Sequence, residues 1–193
     1  MIVHCRDAHE DTLALLRTGE QHNTHLRIVE SVVSVNEGRK RRMVKKITEA
    51  CGGSVSGKTI AVLGVTFKPG TDDMRESPSL VIVPALQGEG AVVRAFDPEG
   101  MREAGRLLPG VQWCQDGYHA LEGADAAVIL TEWNEFRGID LERARALMRA
   151  PLLIDLRNIF SPAQVAAAGF DYVSIGRPSV TAAPAEVAAR AAE

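Results

Sequence analysis

The chain has 193 residues, 46% of them hydrophobic, and a formal net charge of −3. That length allows one full domain with a sizeable core plus an appendage. The acidic balance gives no basic field for nucleic acid or an anionic membrane surface, and no apolar run is long enough to span a bilayer. The N-terminal MIVHCRDAHE has neither a long apolar core nor a small-residue cleavage site, so it does not read as a signal peptide. Three cysteines, Cys5, Cys51 and Cys114, are odd in number and far apart. They argue against a disulfide framework and fit a reducing, cytoplasmic setting. The histidines lack zinc spacing, and no metal site is expected.

Residues 11–18, DTLALLRT, read as a short helix. After the polar QHNT a longer helical pattern covers 26–50, where Leu26, Val29, Val33, Val44 and Ile47 recur at helical spacing. Arg39, Lys40, Arg41 and Arg42 cluster on it and read as a solvated face. Gly52, Gly57, Lys58 and Thr59 match G-x-x-x-x-G-K-[ST], the phosphate-cradling loop. That loop needs a strand before it and a helix after it, so that the helix N-terminus faces the phosphates. Here the order is reversed, and Lys58 and Thr59 are expected only to start a strand.

The stretch 59–79, TIAVLGVTFKPGTDDMRESPS, organises the rest. Its apolar run 60–65 suits a strand buried on both faces of a parallel sheet. Phe67, Lys68, Pro69, Gly70, Thr71, Asp72 and Asp73 read as a loop. Ser77 is the expected N-cap of the following helix, with Pro78 at its first position. Such a loop lies at the carboxyl ends of the strands, where open α/β sheets bind ligands. Lys68 and Arg75 place two cations there, which suits a phosphorylated ligand. Asp72 and Asp73 admit a metal reading, but turn and capping bonds are the preferred one.

The alternation continues to the C-terminus. Helices are expected at 78–87, 101–107, 119–123, 141–149 and 164–168. Strands are expected at 91–96, 111–114, 126–130, 152–154 and 172–175. Asp97 follows the second strand, where a dinucleotide-binding domain reads a ribose hydroxyl, yet the first turn lacks G-x-G-x-x-G. The fold class is therefore α/β. A Rossmann-like open parallel sheet of about six strands carries helices on both faces, preceded by a helical arm. The expected divisions are 1–52 for the arm, 53–180 for the sheet domain and 181–193 for a flexible tail.

Gly64, Phe67, Lys68, Pro69, Thr71, Asp72, Asp73, Arg75, Ser77 and Pro78 fit Gly-x-x-Phe-Lys-Pro-x-Thr-Asp-Asp-x-Arg-x-Ser-Pro. This closely resembles the C-terminal nucleotide-sugar-binding domain of the UDP-glucose/GDP-mannose dehydrogenase family. Val35-Asn36 resembles a pair in the family's connecting helix, and Thr131-Glu132-Trp133 the family's Thr-Glu-Trp. The resemblance covers about residues 11–178. It implies NAD-dependent oxidation of the C6 alcohol of UDP-glucose to a carboxylate, through a cysteine thiohemiacetal and thioester. It assigns Lys68 and Arg157 to the UDP-sugar, Arg75 to NAD, and the 26–50 helix to a homodimer interface.

The resemblance also carries departures. The family's Asp-Thr-Leu-Ala-Leu is matched by residues 11–15, so Asp11 is a remnant of the catalytic region. The cysteine four residues earlier is replaced by Asp7, and Cys5 stands two positions out of register. The nicotinamide-binding domain has no counterpart in these 193 residues, so the chain reads as a fragment inactive alone. Alternatives are a GDP-mannose or UDP-N-acetylmannosamine dehydrogenase fragment, or a non-catalytic nucleotide-binding or assembly module.

Overall fold

The computed structural model describes residues 6–182, with side chains from residue 12 onward. They form two compact units that divide after Arg42. The first holds α1 (Arg6–Gln21) and the beginning of α2 (Arg27–Ala50). Helix α1 runs beyond the expected 11–18 because Gly19 does not break it. Gly19 instead allows the chain to turn back, since a Cβ there would lie 2.7 Å from the Thr24 carbonyl oxygen. The amide of Thr24 donates to the Gly19 carbonyl at 2.8 Å and closes that turn. On α2, Ile28, Val32 and Val35 are exposed at helical spacing, Ile28 by 82%.

The second unit takes the last turns of α2, where Val44 and Ile47 are buried. Then follow β1 (Thr59–Leu63), α3 (Ser79–Gly88), β2 (Val92–Phe96), α4 (Met101–Leu107), β3 (Gln112–Trp113), α5 (Gly117–Leu121) and β4 (Ala126–Ile129). The chain continues with α6 (Asn134–Arg137), α7 (Leu141–Leu147), β5 (Leu152–Asp155), α8 (Pro162–Ala167) and β6 (Asp171–Ser174). The six strands pair in parallel in the order β3-β2-β1-β4-β5-β6. This is the Rossmann-like α/β sheet anticipated from the alternation of elements. Helix α6 was not anticipated, because a single turn is too short to carry a period.

Alternation along the strands explains the double burial. Ile60 and Val62 of β1 join one core with Val44, Ile47, Ile82, Leu86 and Ala104. Ala61 and Leu63 join the other with Ala120, Phe136, Ala144 and Val165. Helices α3 and α4 and the end of α2 thus cover one face, and α5 to α8 the other. Helix α2 precedes residues 52–59 and β1 follows, the reverse of a phosphate-binding loop. The Lys58 ammonium donates to the Cys51 carbonyl instead.

One sheet edge has a partner beyond the six strands. Tyr172 on β6 exchanges two backbone hydrogen bonds with Val180, at 2.7 and 2.9 Å, in an antiparallel bridge. Ala182 then donates to the Asp171 carboxylate at 2.9 Å. Beyond Ala182 the expected tail lies outside the described residues. Among the described residues no helix is long and apolar enough to cross a membrane.

Candidate functional site

Strands β1 and β4 are neighbours, yet the chain leaves them toward opposite sides of the sheet. The crevice of an open α/β sheet falls at such a reversal, outside the carboxyl ends of the strands. Gly64 begins the loop after β1 with φ of 84°, which glycine alone adopts without strain. A Cβ there would stand 2.5 Å from the Thr131 Cβ, so the loops after β1 and β4 pack backbone to side chain. Thr131 seals the contact by donating its hydroxyl to the Thr66 carbonyl at 2.6 Å.

Asp97, fully buried after β2, ties three loops together. Its Oδ2 accepts from the Val65 amide at 2.7 Å, the Thr66 amide at 3.1 Å, the Thr66 hydroxyl at 3.0 Å and the Trp133 indole at 3.2 Å. Its Oδ1 accepts from the Glu99 and Gly100 amides at 3.1 and 2.7 Å. Both oxygens are engaged with the protein's own donors rather than open toward a ribose. With no G-x-G-x-x-G turn after β1, the residues do not fit an ordinary dinucleotide site.

The loop that follows is pinned across its neck, where the Phe67 amide donates to the Asp73 carbonyl at 2.9 Å. Lys68 stands exposed on it. The Asp73 Oδ1 accepts from both the amide and the Nε of Arg75, each at 3.1 Å. Ser77 donates to the Val65 carbonyl at 2.6 Å and accepts from the Ser79 amide at 3.2 Å. The expected cap at Ser77 is corrected: α3 starts one residue later, at Ser79, with Pro78 at the cap position and no side-chain cap bond.

Arg157 follows β5 at the same rim. Its Nε donates to the Glu132 Oε2 in an ion pair that leaves the Arg157 side chain 8% and Glu132 24% exposed. Glu132 comes from the loop after β4, so the pair bridges two neighbouring strand ends. The Arg157 amide donates to the buried Asp155 carboxylate at 3.0 Å. Asn158, with φ of 55°, exchanges side-chain bonds with the backbone of Ile175 at 3.0 and 3.1 Å. Tyr172 donates its hydroxyl to Asp155 at 2.9 Å. Burial first, and the Asp155 charge second, raise the Tyr172 hydroxyl above its ordinary pKa.

Beside this rim a groove of about 370 Å³ is lined by Asp116, Tyr118, Glu135 and Arg143 among others. The Arg143 guanidinium lies 3.9 Å from the Tyr118 ring centre. Burial, then the charges of Asp116 and Asp97, raise the Glu135 carboxyl above the usual range. Among the described residues, no three His, Cys, Asp or Glu side chains converge to hold a metal.

Lys68 and Arg75 therefore share the loop after β1, and Arg157 stands at the same sheet edge two strands away. The Asp11 side chain, Asp7 and Cys5 lie outside the residues whose side chains are described. Glu132 carried a signal only through its Thr-Glu-Trp context, and its pairing with Arg157 had none. A charge at the end of one strand does not announce its partner on the next.

A parallel sheet in this order, with cations on its carboxyl rim, defines a Rossmann-like domain of the nucleotide-binding class. Residues 61–162 match the UDP binding domain of the UDP-glucose/GDP-mannose dehydrogenase family, and the chain belongs to that family. It is 53% identical over 169 residues to a UDP-glucose 6-dehydrogenase of Rhizobium meliloti (strain 1021). That match takes in 88% of this chain but 39% of the relative. A UDP-glucose dehydrogenase structure from Pyrobaculum islandicum is similar at TM-score 0.66 and 33% identity, over 75% of this chain and 32% of its own. An NDP-N-acetyl-D-galactosaminuronic acid dehydrogenase from Methanosarcina mazei Go1 is similar at TM-score 0.72 and 26% identity, over 86% and 37% respectively. The chain thus spans well under half the length of these relatives.

Proposed function

We propose that this chain supplies the UDP-sugar-binding part of a UDP-glucose 6-dehydrogenase, which oxidises UDP-glucose to UDP-glucuronate. The 53% identity to a UDP-glucose 6-dehydrogenase over most of the chain carries this reading. In it the diphosphate lies along the carboxyl rim, with Lys68 and Arg157 as its cations. Lys68 contributes a flexible point charge, and Arg157 a planar guanidinium already held in one orientation by Glu132. The braced Arg75 is the residue of this chain assigned to NAD, the hydride acceptor of the whole enzyme. Asp11 is assigned to water activation there. Self-association through α2 and a cytoplasmic location belong to the same reading.

Titration calorimetry with UDP, UDP-glucose, GDP and GDP-mannose tests it. Both uridine ligands are expected to bind in preference to the guanosine ones. Lys68→Ala and Arg157→Ala should each weaken UDP binding by about 1.5–3 kcal/mol, the range for a charge-assisted bond. Preference for GDP-mannose would reassign the substrate, and unchanged affinity in both variants would move the site.

A further inference from the structure

Arg157 meets any ligand on the rim with a carboxylate already at its side. Glu132 Oε2 accepts from its Nε, and both side chains are largely withdrawn from water. A carboxylate so placed acts in two ways. It fixes the guanidinium plane, which helps any phosphate that matches it. It also repels each further negative charge, and does so more strongly where solvent screening is reduced. Trp133, the next residue, is tied to buried Asp97, so Glu132 sits on an anchored backbone and cannot readily withdraw.

We propose that Glu132 sets selectivity by charge, favouring nucleotide diphosphate diesters over nucleotides that end in a free phosphate. A diphosphate diester carries one negative charge per phosphate. A terminal phosphate monoester adds a further charge as it ionises near pH 6, the range known for phosphate esters. A nucleotide sugar therefore meets less repulsion at Glu132 than the free nucleoside diphosphate does. The filter keeps the site from filling with UDP when UDP-glucose is present. This rests on the proposed role of Arg157 at the UDP-sugar site.

Competition calorimetry on the 193-residue chain, with UDP and UDP-glucose at pH 7.5, tests it. Glu132→Gln keeps an acceptor for the Arg157 Nε but removes the charge. It should raise UDP affinity relative to UDP-glucose by about three- to tenfold, the size of one charge repulsion in a partly screened site. Glu132→Asp keeps the charge and should hold the ratio near that of the parent chain. A merely structural role would shift both ligands together and leave the ratio fixed in both variants, overturning the proposal. Should Glu132→Gln fail to fold, Glu132→Ala takes its place, since it too removes the charge. An unchanged ratio of UDP to UDP-glucose affinity in that variant would overturn the proposal. Arg157→Ala separates the two levels of the argument. If it leaves UDP binding unchanged, the site placement fails. If it weakens binding while the Glu132 ratio stays fixed, only the filter fails.

Discussion

The indole N–H of Trp133 donates to the Oδ2 of Asp97 at 3.2 Å, joining the loop after β4 to the turn after β2. The same oxygen holds the amides of Val65 and Thr66, so one carboxylate sets the shape of three loops. Asp97→Ala would leave several buried donors without an acceptor. It should lower the unfolding free energy by about 3–5 kcal/mol. Asp97→Asn keeps one acceptor oxygen and should cost less. Urea unfolding measures both, and a loss below about 1 kcal/mol for the alanine variant would contradict the role given to this residue.

Tyr172 provides a stability signature in alkali. Its hydroxyl ionises less readily in the folded chain than at its ordinary value of 10.0, chiefly through burial. Above pH 10 the unfolded chain has released this proton while the folded chain still holds it. Unfolding then releases a proton, so stability falls as pH rises from 10 toward the folded value. Below pH 10 the contribution is fully present. Tyr172→Phe should be less stable at neutral pH, by about 1–3 kcal/mol for the lost bond to Asp155, and should decline less steeply in alkali. Parallel slopes for the two chains would refute this.

The face of α2 that carries Ile28, Val32 and Val35 should bring two copies of the chain together. These residues line an open groove of about 490 Å³ with Arg27, Ser31, Asn36 and Arg39. Apolar residues exposed at successive turns tend to find a surface. Light scattering should give a dimer at micromolar concentration, and Val32→Glu with Val35→Glu should give a monomer. A monomeric parent chain at high concentration would count against the idea.

The 193-residue polypeptide should produce no NADH from UDP-glucose and NAD. The turn after β1 and the engaged Asp97 do not fit a dinucleotide, and the register that the sequence resemblance implies puts Asp7 in place of the family's cysteine. Oxidation needs a hydride acceptor and a thiolate held against the same carbon. NADH absorbance measures it directly. Turnover would refute the argument, and turnover surviving Cys5→Ser would refute its thiol part.

Strand β1 was readable because residues 60–63 are apolar without interruption, and a strand buried on both faces demands that pattern. The turn into α3 was readable because Ser77 and Pro78 act on their immediate neighbours. The role of Asp97 was not legible because it depends on Val65, some thirty residues earlier, and Trp133, some thirty-six later. The Arg157–Glu132 pair was hidden for the same reason. Each charge was visible at a strand end, but only the β4–β5 register brings them together. Helix α6 escaped because one turn leaves no periodic trace. Local chemistry is written in neighbouring letters, whereas this site is assembled between loops.

The bridge from Val180 to Tyr172 has a consequence for how the protein behaves in a crowd. An open parallel sheet has two raw margins, each a template on which a stranger's backbone can zip. On the β6 side the chain fills part of that template with its own Val180, and the Asp171 carboxylate occupies the next amide. On the other side β3 is only two residues long and pairs with Arg94 and Ala95 alone of β2. The β6 margin therefore offers a stranger's backbone a shorter template than its four residues would otherwise present.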